Sequence, residues 1–192
     1  MSDAARAYEQ HAKAFINARS QVTGRQTIRT WAATLPQPAT ILELGCGSGR
    51  PVTETLLAAK HTVFAIDASP TLLDHFRQAF PTVEAKCENV LDSRFFERRF
   101  DAVVAIGLVF LLSEAQQRTL IQSVANVLEP GGRFLFTAPW QTGEWHDVLT
   151  QSLCVSLGID AYTAAFKEAG LTLTDRLVDS GRNHYYELEK DN

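Results

Sequence analysis

The sequence has no apolar segment long enough to cross a bilayer. Its longest apolar run, residues 102–112, has 11 residues, whereas a transmembrane helix needs about 20. The first residues, 1–6, lack the apolar stretch of a secretory signal peptide. We therefore expect no membrane partner and a cytoplasmic location.

Cysteine is also scarce. The three cysteines, Cys46, Cys87 and Cys154, contain no CxxC pair, and this spacing gives neither a disulfide framework nor a zinc knuckle. The five histidines show no HxxxH or comparable ligand spacing. The sequence therefore predicts no metal site.

Basic charge is not in excess. The 18 Lys and Arg residues are outnumbered by 22 Asp and Glu, for a net charge of −4. Proteins that bind nucleic acid draw affinity from clustered Lys and Arg, so we expect no nucleic-acid partner. With 192 residues, 45% of them hydrophobic and 21% charged, the composition is that of one globular domain.

Strand and helix patterns alternate along most of the chain. An Ala-rich segment of one or two helices ends at Pro36 and Pro38. Five apolar strand patterns then alternate with helix patterns, and two further strands follow with no helix between them. Such a pattern predicts an α/β fold with a doubly wound, mostly parallel sheet, helices on both faces and a final antiparallel hairpin. The expected strands are 40–44, 62–66, 82–87, 100–106, 133–138, 171–178 and 184–189.

A glycine-rich loop follows the first strand, in a place where such sheets bind ligands. The loop reads Glu43-Leu44-Gly45-Cys46-Gly47-Ser48-Gly49, and its glycines permit positive φ and close approach to a ligand. A dinucleotide fingerprint would have its third glycine at Arg50. Glu43 would repel a pyrophosphate but suits a cationic or zwitterionic ligand. A plain glycine turn is the structural alternative.

A second acid belongs with this loop. Asp67 ends the second strand, 22 residues after Gly45, and a carboxylate there can accept hydrogen bonds from both hydroxyls of a ribose. The alternative is an acid that interacts with the helix dipole ahead of Ser69.

Four sequence blocks carry a family resemblance. The blocks are ILELGCGSGRP, FAIDASPTLL, FDAVVAIGLVFLL and LEPGGRFLFTAP. In order and spacing, over residues 40–140, they resemble the class I S-adenosylmethionine-dependent methyltransferases. The resemblance implies a Rossmann-like, seven-stranded sheet with an antiparallel last strand, S-adenosylmethionine as cofactor and S-adenosylhomocysteine as product. The short chain favours a small-molecule acceptor.

The resemblance also implies a division of the single domain, 1–192, and a set of cofactor-binding residues. Residues 1–38 would form an N-terminal helical lid or cap, 39–140 the cofactor-binding core, and 141–192 an acceptor-side loop, a helix and the final hairpin. The loop glycines would surround the methionine part, Glu43 would orient its ammonium, Asp67 would hold the ribose, and Asn89 would stand where many relatives have an acid for the adenine. The full set is Glu43, Gly45, Cys46, Gly47, Gly49, Asp67, Ala68, Asn89, Val90, Ile106 and Gly107.

Acceptor-side candidates follow from their positions on the same rim of the sheet. Tyr8, with Glu9 and Arg19, resembles the lid helix of small-molecule members. His146 is the candidate general base if the acceptor keeps its proton at neutral pH. Packing against the sheet or within a long loop is the alternative for each candidate. The acceptor-pocket candidates are Tyr8, Trp140, Trp145, His184 and Tyr185.

Three other functions fit parts of the pattern. A non-catalytic scaffold that binds S-adenosylmethionine would share the cofactor residues. An aminopropyl transferase would use the decarboxylated donor, but it needs an acid-lined channel that the sequence does not show. A nicotinamide-dependent oxidoreductase is disfavoured by Arg50 and Glu43. The sequence carries no signal for the oligomeric state.

Overall fold

A computed structural model describes residues 3–18 and 22–192 of the protein. Within this part of the chain, strands and helices alternate as predicted. The strands are β1 (Thr40–Leu44), β2 (Thr62–Asp67), β3 (Glu84–Cys87), β4 (Phe100–Ala105), β5 (Leu128–Thr137), β6 (Thr142–His146), β7 (Leu153–Leu157), β8 (Leu171–Val178) and β9 (His184–Lys190). The helices are α1 (Asp3–Gln10), α2 (Ala12–Ala18), α3 (Arg25–Ala32), α4 (Val52–Ala58), α5 (Pro70–Ala79), α6 (Glu114–Val127) and α7 (Gly158–Glu168), with 3₁₀ turns at Phe95–Glu97 and Val109–Leu111.

Seven of the strands form one sheet in the order β3-β2-β1-β4-β5-β9-β8. The pairs from β3 to β5 are parallel, while β9 lies antiparallel between β5 and β8. This arrangement confirms the predicted fold class. It also brings the carboxyl ends of β1 to β5 and the β8–β9 turn to one rim of the sheet.

Helices cover both faces of the sheet, which explains why its central strands are continuously apolar. Alternate residues of β1 contribute to two separate cores. Leu42 packs with α6 and α7 on one face, and Ile41 packs with α3, α4 and α5 on the other. Both side chains are fully buried.

Helices α5 and α6 both begin at a serine that caps the helix, as the sequence indicated. Ser113 caps α6 in a capping box: its hydroxyl accepts from Gln116 N at 3.4 Å, and the Gln116 side chain accepts from Ser113 N at 3.0 Å. Ser69 caps α5 by accepting from Leu72 N at 3.1 Å, with Pro70 as the first helical residue. Both caps fix the rim loops that precede the helices.

Strand β5 begins earlier than predicted. Phe100 pairs with Leu128, but Ala102 pairs with Arg133, so residues 129–132 bulge out of the ladder. The expected Pro130-Gly131-Gly132 turn is therefore part of an irregular strand and does not precede it.

The expectation of an acceptor-side loop after β5 was wrong in its local structure. Strands β6 and β7 form an antiparallel pair apart from the main sheet. Thr142 Oγ1 donates to Leu157 O at 2.9 Å, and Trp145 packs on Phe110 with ring centroids 5.4 Å apart. The hairpin thus places its tip, residues 147–152, beside the carboxyl rim of the sheet. The described residues of the N-terminal segment form three helices, α1, α2 and α3, where one or two were expected.

Candidate active site

The glycine loop wraps around the end of β2. Gly45 N and Cys46 N both donate to Ile66 O, at 2.8 and 3.1 Å. Gly47, with φ of 54°, points its N–H at Asp67 Oδ2, 2.8 Å away. The two sequence features that indicated a ligand site are therefore in direct contact.

Asp67 is buried where the loops after β1 and β2 meet. Its second oxygen, Oδ1, accepts from Ser69 N at 2.8 Å. Burial raises the pKa of this carboxyl above its ordinary value, and the hydrogen bonds from Ser69 and Gly47 oppose that shift. The Ala68 backbone also forms a hydrogen bond to this carboxyl, and Asp67 lines the adjoining cavity.

Glu43 and Cys46 complete the buried end of this site. Glu43 is 4% exposed and accepts a hydrogen bond from Thr53 Oγ1 in α4. Burial raises the pKa of the Cys46 thiol well above its ordinary value, and the Asp67 and Glu43 carboxylates raise it further. The Cys46 side chain is therefore a neutral thiol that lines the site, and it is not a thiolate nucleophile.

A cavity of about 530 Å³ opens at the carboxyl rim. It is bounded by the loops after β1, β2, β3 and β4, by α1 and α2, and by the tip of the β6–β7 hairpin. The predicted cofactor residues that line it are Glu43, Gly45, Cys46, Gly47, Asp67, Ala68, Asn89, Val90, Ile106 and Gly107.

Gly49 is the predicted cofactor residue that the structure places outside the cavity lining. Its φ is 75°, and a Cβ atom there would lie 2.4 Å from the Phe80 ring and 2.8 Å from the Phe76 ring. The glycine lets the loop pack against α5.

The first two helices, which we name the lid (α1 and α2), cover the cavity. Tyr8 and Phe15 line it, and their rings meet edge to face at 5.6 Å. Glu9 attaches the lid to the start of α5, where it accepts from Thr71 N at 3.1 Å, from Thr71 Oγ1 at 2.6 Å and from Ser69 Oγ. These hydrogen bonds lower the pKa of Glu9. Arg19, the remaining predicted lid residue, lies outside the described residues.

The hairpin tip covers the cavity from the opposite side. Asp147 Oδ1 accepts from Leu149 N, Thr150 N and Thr150 Oγ1 at 3.1, 2.7 and 2.8 Å, which fixes the shape of the tip. Tyr8 Oη donates to Asp147 Oδ2 at 3.3 Å. The lid and the tip thus meet above the cavity.

Sequence reasoning missed the apolar part of the cavity wall. Leu108, Phe110 and Leu111 follow β4 and line the cavity. A signal was present, because the apolar run of residues 102–112 continues well past Ala105, where the strand ends. Leu149 was also missed, since its place depends on a hairpin that was not predicted.

The other acceptor-side candidates lie outside the cavity lining. Trp140 stacks on His184 with ring centroids 4.3 Å apart, and Tyr185 is buried with its hydroxyl 2.8 Å from Asp179 Oδ2. Trp145 lies behind Phe110, and His146 is exposed at the end of β6. Tyr8 is the acceptor-side candidate that lines the cavity.

The described residues contain neither a cluster suited to a metal ion nor a helix suited to a membrane. Among residues 3–18 and 22–192, no group of three or more His, Cys, Asp or Glu side chains is arranged to hold a metal ion. None of the helices in this part of the chain is long and apolar enough to span a bilayer.

Comparison with solved structures shows the same fold in two methyltransferases. The CcbJ methyltransferase from Streptomyces caelestis is 21% identical, with a TM-score of 0.79 and coverage of 100% of both chains. CalS10 from Micromonospora echinaspora, an amino pentose methyltransferase solved with S-adenosylmethionine bound, is 17% identical, with a TM-score of 0.73 and coverage of 94% of this chain and 96% of that one. The fold is that of a class I methyltransferase.

Sequence comparisons agree with the fold. An uncharacterized methyltransferase of Synechocystis, sll0829, is 27% identical over 150 residues, which cover 76% of this chain and 69% of the relative. The tRNA N(3)-methylcytidine methyltransferase trm141 of Schizosaccharomyces pombe is 29% identical over 108 residues, or 52% of this chain and 44% of the relative.

Residues 41–132 match the family described as Methyltransferase domain. This match and the methyltransferase relatives confirm the resemblance to the class I S-adenosylmethionine-dependent methyltransferases that was read from the four sequence blocks. They support an S-adenosylmethionine-dependent methyltransferase.

Proposed function

We propose that this enzyme transfers a methyl group from S-adenosylmethionine to a small-molecule acceptor. One observation carries the proposal: a single cavity of about 530 Å³ joins the predicted cofactor residues to an apolar compartment beneath the lid and the hairpin tip. This volume lies in the range of about 300–1,000 Å³ that small-ligand sites occupy.

The donor-side residues fit the chemistry of S-adenosylmethionine. A buried carboxylate, Glu43, suits its ammonium group, and the Gly45–Gly47 backbone leaves room for its methionine part. Asp67 lines the cavity and is the acceptor for the ribose hydroxyls, and the Asn89 carbonyl oxygen can accept from the adenine amino group. Ala68 and Val90 would flank the adenine, and Ile106 and Gly107 would form the floor.

In this reaction the protein mainly aligns the methyl donor with the acceptor. When bound, S-adenosylmethionine supplies an electrophilic methyl group, so the site needs no protein nucleophile, and the neutral Cys46 thiol is consistent with that. Ile106 and Leu108 line the cavity and would provide an apolar wall, and the lid would exclude water from the reacting atoms.

The charges of the cavity support a small acceptor over a nucleic acid. Glu43, Asp67 and Asp147 give the wall three carboxylates. Among the described wall residues, Arg50 is the single Lys or Arg, and its Nε donates to Glu54 Oε1 at 3.3 Å. A phosphate backbone would meet net negative charge here. CalS10, an amino pentose methyltransferase, shares the fold over nearly the whole chain.

Binding and turnover experiments test the proposal separately. Calorimetric titration should show binding of S-adenosylhomocysteine and not of NAD, with Asp92→Asn as an exposed control and Asp67→Asn as the weakened variant. A small-molecule screen, read as release of S-adenosylhomocysteine, should then identify acceptors. Binding without turnover of any small molecule, together with methylation of tRNA, would contradict the small-molecule assignment.

A further inference from the structure

The acceptor compartment has a distinct chemistry. The donor-side residues account for the cavity wall at the ends of β1 to β3. The rest of the wall comes from the lid, the segment after β4 and the hairpin tip, and it is mostly apolar. The side chains that line this compartment are Tyr8, Leu108, Phe110, Leu111, Asp147, Val148 and Leu149. Among the described residues of this compartment, Asp147 is the one carboxylate.

The two carboxylate oxygens of Asp147 accept different hydrogen bonds. Oδ1 accepts three hydrogen bonds within the tip, at 2.7 to 3.1 Å. Oδ2 accepts from Tyr8 Oη at 3.3 Å, a long distance for a bond between a hydroxyl and a carboxylate. A stronger donor can therefore replace the phenol at Oδ2 without disturbing the fold of the tip.

We propose, on the basis of the proposed methyltransferase function, that the acceptor is an apolar amine and that Asp147 Oδ2 binds its nitrogen. An N–H⁺ donor forms shorter and stronger hydrogen bonds to a carboxylate than a neutral hydroxyl does. A carboxylate acceptor would be repelled by Asp147. Phe110, Leu111 and Leu149 supply apolar surface for the body of the molecule.

The proposed reaction moves the methyl group from the sulfur of the donor to the nitrogen of the amine. The amine binds as an ammonium and donates to Asp147 Oδ2, and it then loses one proton to solvent at the exposed hairpin tip. The nitrogen lone pair forms a bond to the methyl carbon while the carbon–sulfur bond breaks, and the electron pair of that bond stays on sulfur. The product nitrogen is again cationic, and Asp147 serves as its counter-ion until it leaves or gives its proton to water.

The Asp147→Asn variant tests the charge of residue 147 apart from its hydrogen bonds within the hairpin tip. Asparagine keeps an oxygen for the three tip hydrogen bonds but removes the negative charge. Glu144→Gln is the matched control, because it removes one negative charge from an exposed position of the same hairpin that does not line the cavity. Both variants should bind S-adenosylhomocysteine like the parent protein, and calorimetry also checks that they fold.

The probes are three molecules with the same aromatic ring and a similar chain: phenethylamine, 2-phenylethanol and 3-phenylpropionate. Release of S-adenosylhomocysteine gives kcat and KM for each. We expect phenethylamine to be the preferred acceptor, and Asp147→Asn to raise its KM about tenfold or more with a smaller change in kcat. Glu144→Gln should change the KM by less than about threefold.

Several results would overturn the inference. They are preferred turnover of the alcohol or the acid, equal losses in Asp147→Asn and Glu144→Gln, and no turnover of any probe by protein that binds S-adenosylhomocysteine. In each of these cases the donor side of the proposed function still stands. Absence of S-adenosylhomocysteine binding would instead refute the proposed function and this inference with it.

Discussion

Glu9 and Thr71 are joined by two hydrogen bonds, although 62 residues separate them in sequence. The Glu9 carboxylate accepts from Thr71 N at 3.1 Å and from Thr71 Oγ1 at 2.6 Å. Through this contact the first turn of α5 receives an acidic partner from α1. The lid is thereby attached next to Asp67, the residue proposed to hold the ribose.

Removal of the Glu9 side chain should loosen the lid. We expect Glu9→Ala to weaken S-adenosylhomocysteine binding about two- to fivefold, the range for a half-exposed charged contact. It should also speed amide exchange across α1. Glu168→Ala, at an exposed position in α7, is the control. Equal exchange rates in both variants would show that Glu9 does not hold the lid.

The same contact predicts an acid-sensitive lid. Hydrogen bonds from Ser69 and Thr71 hold the pKa of Glu9 below its ordinary value of 4.5, so the closed state favours the ionised carboxylate. The stabilisation is complete above pH 4.5 and is lost as the pH falls through the lowered pKa. Amide exchange in α1 should accelerate over that acid range. A similar pH profile in Glu9→Ala would argue against this origin.

Asp67→Asn should weaken cofactor binding. It removes a buried charge that we propose accepts from ribose hydroxyls, and charged hydrogen bonds contribute about 1–3 kcal/mol. The dissociation constant of S-adenosylhomocysteine should therefore rise about 5- to 150-fold in calorimetry. Asp92→Asn, at an exposed position, should leave it unchanged. An unaltered constant in Asp67→Asn would remove Asp67 from the site.

Gly49→Ala should destabilise the fold. The residue has φ of 75°, and a Cβ would lie 2.4 Å from Phe80. Left-handed strain of about 1–2 kcal/mol and overpacking of about 1–3 kcal/mol add to a loss of about 2–5 kcal/mol in unfolding free energy. Gly143→Ala meets no atom within 4 Å and should change stability by less than about 0.5 kcal/mol. Similar melting curves for both variants would contradict this packing role.

His146→Ala tests the predicted general base. The side chain is exposed and outside the cavity lining, so we expect turnover of an identified acceptor to stay within about twofold of the parent. Release of S-adenosylhomocysteine at saturating cofactor measures it. A fall of about a hundredfold or more, with cofactor affinity intact, would establish His146 as a base.

Features set by neighbouring residues could be predicted from the sequence. The glycine loop and Asp67 come together because β1 and β2 are parallel neighbours whose carboxyl ends meet. Ser69 and Ser113 cap their helices through atoms within three residues. Each of these predictions needed only local chemistry and the direction of the strands.

Features set by distant contacts could not be predicted. Strand β6 contains Gly143 and Glu144, residue types that are depleted in strands, and it forms in a hairpin held from outside. Gln117 Nε2 in α6, for example, donates to Val155 O at 2.9 Å. The position of Asp147 depends on that hairpin, and the role of Glu9 depends on a partner 62 residues away. No local pattern encodes either contact.

The meeting of Tyr8 and Asp147 has a kinetic consequence. Since this contact bridges the two covers of the cavity, we expect both ligands to enter between the lid and the hairpin tip, with the donor bound deeper than the acceptor. We therefore expect an ordered cycle in which the nucleoside enters first and departs last.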